Sequence, residues 1–218
     1  MIRVCIVCEG QTEVAFVQSC LVPHLLDFGV QAYPSILRAP SGKHRGGRVT
    51  VERLVNFMFH EYHCCQCITT LVDFYGFQNQ DGRTNVELEQ AILQGLQQRI
   101  PNLNPQRVRP YLQMHEFEAL LFADVEAFQL LDGCDESTRQ TLQVIRDRYE
   151  SPEDINDGKE TAPSKRILRC VKQGSYSKTE HGPFILGLIG LATIRQQCRG
   201  FDQWLSWLES KGQQQGTL

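Results

Sequence analysis

The segment "IRVCIVC" at residues 2 to 8 limits the possible folds more than any other stretch of the chain. It is apolar almost throughout, whereas a strand with one wet face alternates apolar and polar side chains. A strand covered on both faces needs a layer above it and a layer below it. From Glu13 to Phe28 the residues Val14, Phe16, Val17, Leu21, Leu25 and Phe28 recur near helical spacing, and Gly29 stands where a C-terminal cap belongs. Pro23 removes a backbone donor inside this stretch, which predicts a kink or two shorter helices. The alternation continues with "VQAYPSIL", a short strand whose Pro34 points to a sheet edge, and a helix from Thr50 to Tyr62. Next come the buried strand "CITTLVDF", a helix from Val86 to Arg99 and a weaker strand "RVRPYLQM". After Met114 the pattern is helical and ends in the apolar stripe Phe201, Trp204, Leu205 and Leu208. Together these predict an α/β fold, a mostly parallel sheet with right-handed crossovers flanked by helices, with a helical C-terminal part. A chain of 218 residues divides into an α/β core over 1–125 and a helical extension over 126–218 packed on it. The polar, proline-bearing stretch at 150 to 164, "ESPEDINDGKETAPS", is predicted as a surface loop.

Several function classes fall away at this stage. No apolar run reaches the roughly 18 to 20 residues of a membrane span. The first residues lead straight into a strand without a signal-peptide pattern, so a cytoplasmic protein with no membrane partner is expected. A formal net charge of -3 gives no global steering toward nucleic acid. The nine cysteines, an odd number, read as reduced thiols buried as small hydrophobes. Zinc is the competing reading. Against it, Cys5 and Cys8 lie three apart on a strand and face opposite ways, and although Cys65 and Cys67 share a face, no second pair follows at finger-like spacing.

In α/β sheets ligands gather beyond the carboxyl ends of the strands. The first strand ends at Glu9, the third at Asp73, and the fourth leads into "HEFEALLFAD" with His115, Glu116, Glu118 and Asp124. The turn "EGQTE" lacks the lysine of a phosphate loop, and its carboxylates repel phosphate unless a hard divalent cation intervenes. Glu13 also suits the start of a helix, where it complements the dipole, and His115 serves equally as a helix-start hydrogen-bonding residue. Glu116 and Glu118 stand about 200° apart on a helix, so only one is expected to face an ion, and the sequence leaves the choice open.

"VCEGQTE", "LVDFYGF" and "HEFEALLFAD", followed by "APSKR", "YSKTEHGP" and "IGLATIRQQCRGFDQWLSWL", resemble the prokaryotic TOPRIM-like family called domain of unknown function 4276, over nearly the full chain. The resemblance implies a TOPRIM-like metal-binding core, a chromosome-maintenance-like AAA ATPase as partner, and a place in defence against phage. It maps Glu9 onto the glutamate after the first TOPRIM strand and Asp73 onto the first aspartate of an Asp-x-Asp motif. Tyr75 stands where the second aspartate belongs.

The expected activity is a metal-dependent nuclease cutting DNA or RNA. In that reading Glu9, Asp73, Glu116 and Glu118 hold Mg2+ or Mn2+, and Lys178 stabilises charge on the phosphate. Lys43, Arg45 and Arg48 in the Gly-rich "SGKHRGGR", with Lys165, Arg166 and His181, are the substrate-binding candidates. The alternative is a non-catalytic TOPRIM-like subunit of an ATPase complex, and either reading is compatible with a homo-oligomer. Strand-passage chemistry has no room in a chain of this size, and no template-binding module of a primase is evident.

Overall fold

Strand β1 (Ile2–Cys8) lies between β2 (Val30–Ile36) and β3 (Cys67–Asp73), parallel to both. The order across the sheet is β2-β1-β3-β4, with β4 (Val108–Arg109) and the separate short strand β5 (Leu112–Gln113) both parallel to β3. This computed structural model describes residues 1–37, 49–156 and 158–213. The weak strand of the sequence is broken at Pro110, which has no N–H for the ladder. Pro34 sits on β2, the edge strand, as its chemistry requires.

The apolar run of β1 is explained by two separate cores. Val4, Ile6 and Cys8 join the cluster on one face, whereas Cys5 and Val7 join the cluster on the other. The second face is covered by α3 (Val51–Glu61) and α4 (Asn85–Arg99), capped at their starts by the side chains of Thr50 and Thr84. The first face is covered by α1 (Gln11–Phe16) and α2 (Val22–Leu26), joined by a π-helical segment at Val17–Leu21. There the Val22 N–H reaches back five residues to the Val17 carbonyl, one residue before Pro23. The interruption predicted from that proline therefore takes the form of a π-bulge, in which the ladder shifts register where a donor is missing.

The same core continues into the C-terminal half, whose α-helices are α5 (Glu136–Arg146), α6 (Pro163–Cys170), α7 (Lys178–Ile189), α8 (Leu191–Gln197) and α9 (Arg199–Gln213). It includes Ile185 and Leu186 of α7 and Phe201, Trp204, Leu205 and Leu208 of α9, all at most 1 % exposed. Trp204 stacks on Tyr111 at 4.9 Å between centroids, and its indole N–H donates to Thr69 of β3 over 2.8 Å. At the far end of α9, Gly212 lies so close to Phe28 that a Cβ would stand 1.6 Å from the Phe28 carbonyl oxygen.

Two sequence expectations need correction. Residues 150–164 are not merely a surface loop, because Pro152, Ile155, Ala162, Pro163 and Ser164 are buried. The polar side chains of this stretch serve backbone groups elsewhere: Glu153 accepts from Gly200 N–H at 2.8 Å and Phe201 N–H at 3.1 Å, at the start of α9. Cys65 and Cys67 do not share a face either, since Cys67 packs in the first core and Cys65 in the second. Cys65 lies in the turn before β3, where strand alternation does not yet apply. All nine cysteines are free thiols.

Candidate functional site

The three predicted strand ends converge. Beyond β1, Glu9 leads to Gly10, the N-cap of α1, and Glu13 reaches back to accept the Gly10 N–H at 2.8 Å. This is the back-bonding half of a capping box, yet Glu13 is only 7 % exposed. At the end of β3, Asp73 accepts the Phe117 N–H at 2.7 Å, which ties it to the chain that follows β5. Glu116 accepts the buried Ser164 N–H at 2.9 Å, at the first turn of α6 (Pro163–Cys170). Glu118, 2 % exposed, meets Lys178 of α7 at 3.0 Å.

Each carboxylate perturbs the others. Burial lifts Asp73 well above the ordinary aspartate range, and Glu13, Glu118, Glu9 and Glu116 add to the effect. Burial raises Glu13 to about 7, with Glu9 and Glu118 contributing. Glu118 is raised by burial against the pull of Lys178. Glu9 is raised by burial, against the Asp73 backbone N–H and the more distant Arg53 and Lys178. Burial works against the charge of half-exposed Lys178, but Glu118, backed by Glu116 and Asp73, outweighs it and raises its pKa.

Glu116 and Glu118 both act on Asp73 through their charge, but the expected separation of about 200° between them does not apply. That expectation assumed a helix through both residues. In fact Glu116 is extended, with φ -133° and ψ 157°, and the segment Phe117–Ala123 after it is a run of 3-10 turns. Tyr75 does not stand in as an oxygen ligand, because its hydroxyl donates to Asn156, 81 residues further on.

Of the other predicted residues, Lys43, Arg45 and Arg48 lie outside the described residues. Lys165 is exposed on α6. Arg166 is engaged within the fold: its guanidinium donates to the Thr161 carbonyl at 2.6 Å and to the Tyr149 hydroxyl at 2.8 Å. His181 accepts the Ser177 N–H at 2.8 Å and so serves the start of α7. Three residues of the neighbourhood were not among the predicted site residues. Glu13 is one, since its burial is invisible in "EGQTE". Arg53, in the first turn of α3, bears on Glu9 electrostatically. Tyr176 is the third, with a buried hydroxyl that has no hydrogen-bond partner among the described residues and feels Glu118 and Glu116.

Residues 8–209 match the family model described as Domain of unknown function (DUF4276). The chain belongs to this family. No curated protein and no solved structure matches it. Within this DUF4276 chain the match runs from the last residue of β1 to Glu209 in α9, so it takes in every carboxylate of the cluster and Lys178. Among the described residues no helix is long and apolar enough to cross a membrane.

The donor set can be tested for its fit to a cation. Glu9 Oε2 is buried without a hydrogen-bond partner, lodged against the Gly76 backbone where a Cβ would come within 2.5 Å of it. A buried, unpartnered carboxylate oxygen among four other carboxylates is costly unless a proton or a cation reaches it. Among the described residues no group of three His, Cys, Asp or Glu side chains is arranged to hold a metal ion. Glu13, Asp73, Glu116 and Glu118 each spend an oxygen on a protein donor, which spreads them apart. The set fits an ion that takes one or two protein carboxylates and fills its other positions with water or substrate oxygen, the usual habit of magnesium.

Proposed function

We propose that this DUF4276 chain is a metal-dependent phosphodiesterase acting on DNA or RNA, with Mg2+ or Mn2+ as its cofactor. The observation that carries the reading is the partnerless, buried Oε2 of Glu9 among carboxylates gathered from three strand ends. Glu9 and Asp73 would hold the ion, with Glu13, Glu116 or Glu118 completing its surroundings. Bound there, a divalent ion polarises a phosphate and lowers the pKa of a coordinated water. Lys178 would orient the phosphate and offset developing charge, while its bond to Glu118 holds the ammonium in place. Lys43, Arg45, Arg48, Lys165, Arg166 and His181 are the candidates for holding the substrate, with Arg166 and His181 acting from positions the fold already fixes.

The resemblance to TOPRIM-like chains supports the finer part of the reading: a TOPRIM-like core, a chromosome-maintenance-like AAA ATPase as partner, and a cytoplasmic role in phage defence. The test is purified protein, alone and with an adjacent ATPase, on labelled DNA and transfer RNA with magnesium or manganese. Cleavage that is equal in wild type and Glu9→Ala sinks the assignment.

A second reading draws on Tyr75 and on the lack of a ready three-donor site among the described residues. In it the chain is a non-catalytic interaction subunit of the ATPase complex. It requires stable co-purification with the ATPase and no rise in melting temperature with millimolar magnesium or manganese.

A further inference from the structure

The Gly158 N–H donates to Oδ1 of Asn156 over 2.9 Å, and the Tyr75 hydroxyl donates to the same oxygen. A backbone N–H can only donate, so the atom it meets is the amide carbonyl oxygen, and the other end of the Asn156 side chain is its NH2. That NH2 lies 3.2 Å from Nδ1 of His115. An amide NH2 also only donates. Nδ1 must therefore offer its lone pair, and the single proton of the neutral ring sits on Nε2. Tyr75 and His115 are linked twice more: the Tyr75 N–H donates to the His115 carbonyl at 2.9 Å, and their rings lie 5.7 Å apart between centroids.

The ring so held stands beside the carboxylate cluster. His115 immediately precedes Glu116 and is only half-buried. Among the described residues no protein group bonds its Nε2, and that atom is not sealed from solvent. A donor with a defined proton and a free outer face is suited to an anionic oxygen.

We infer that Asn156, oriented by the Gly158 N–H and braced by the Tyr75 hydroxyl, is a positioning residue that fixes His115 as the Nε2–H tautomer, a hydrogen-bond donor to a phosphate oxygen of the substrate. The substrate half of this rests on the phosphodiesterase reading; the tautomer half does not. Asn156, with Tyr75 bonded to it, thus gives the site a placed imidazole.

The chain has six histidines, few enough for 15N-histidine NMR to assign each tautomer. His115 is expected as Nε2–H in wild type. In Asn156→Asp it should invert to Nδ1–H, because a carboxylate in that place accepts at both oxygens. Wild-type His115 found as Nδ1–H overturns the inference. In the cleavage assay His115→Ala should lower kcat about a hundredfold, as loss of one placed donor does. Asn156→Asp should match it, and His115→Gln, whose amide N–H stands near the place of Nε2–H, should recover most of the loss. Cleavage by His115→Ala equal to wild type also overturns it. If wild type cleaves nothing, the phosphodiesterase reading fails, and the donor role is read from binding. A shift of the His115 Nε2 resonance on adding a phosphorothioate oligonucleotide with magnesium supports it, and an unmoved resonance overturns it.

Discussion

Glu118 Oε1 and Lys178 Nζ lie 3.0 Å apart, joining a carboxylate that is almost fully enclosed to an ammonium that still faces solvent. The pair links the chain after β5 to the first turn of α7, so it holds the C-terminal helices to the strand-end cluster. Lys178→Met removes the one cation within bonding reach of Glu118 among the described residues. Glu118, already raised by burial, should then be raised further, because the charge that opposes that effect is gone. If Lys178 faces the scissile phosphate, kcat should fall about a hundredfold to a thousandfold, and Lys178→Arg should recover only part of it because its planar fork differs from a point charge. A double-mutant cycle with Glu118→Gln checks the coupling: the Gln substitution should cost less in the Lys178→Met background than in wild type.

The carboxylate cluster also predicts an unusual pH profile of stability. Glu13, Asp73 and Glu118 have folded-state pKa values raised above those of the unfolded chain. A raised group favours the folded state below its unfolded pKa, and that contribution is lost as pH rises through the folded value. For Glu13 the window runs from the ordinary glutamate range up to about 7. Its loss is on the order of 3 kcal/mol. In a chelator, melting temperature should therefore be higher at pH 5.5 than at pH 8, and Glu13→Gln should flatten the difference. Millimolar manganese should restore stability chiefly on the alkaline side, because it stabilises the charged carboxylates. Melting curves that show no excess stability at the acid end would remove the basis of this prediction.

Gly76 offers a way to disturb Glu9 without touching its chemistry. A Cβ at position 76 would stand 2.5 Å from Oε2 and 3.0 Å from Oε1 of Glu9. Both are at the end of a flexible side chain, so the carboxylate can yield while the backbone stays in place. Gly76→Ala should cost roughly 1 kcal/mol or less in stability, within the ordinary range for single substitutions. It should still abolish the metal-dependent rise in melting temperature to the same degree as Glu9→Ala. Thermal denaturation with and without manganese measures both effects at once.

How far the site was legible in the sequence follows from how each residue is placed. Glu9 and Asp73 were readable because the one directly follows and the other ends a strand buried on both faces, and burial on both faces leaves an unbroken apolar run. Glu116 and Glu118 were readable as candidates but not as a pair, since no periodicity signals that Glu116 is extended and that 3-10 turns follow it. The polar stretch from 150 to 164 hid its role for a different reason. Its side chains satisfy backbone and side-chain groups far away in the chain, Asn156 at Tyr75 and Glu153 at Gly200, and such pairings leave no local pattern. The thiols of Cys5 and Cys8 illustrate the opposite case: strand alternation alone sent them to different cores.

Glu153 tests whether that polar stretch is part of the fold rather than a covering loop. Its two oxygens accept the Gly200 and Phe201 N–H groups, which lie in the first turn of α9 and have no intrahelical acceptor. The negative charge also lies at the positive end of the helix that carries Trp204 and Leu208 into the core. Burial raises its pKa despite these bonds, so part of the benefit of the charge is already offset. Glu153→Gln keeps one acceptor oxygen and should cost about 1 kcal/mol, whereas Glu153→Ala leaves both N–H groups unbonded and should cost about 2 to 3 kcal/mol. Because α9 also bears Trp204 against Thr69, the Ala variant should speed hydrogen exchange at the start of α9 well before β1 is affected. Exchange that rises equally in α9 and β1 would mean that Glu153 stabilises the whole molecule rather than the docking of this helix.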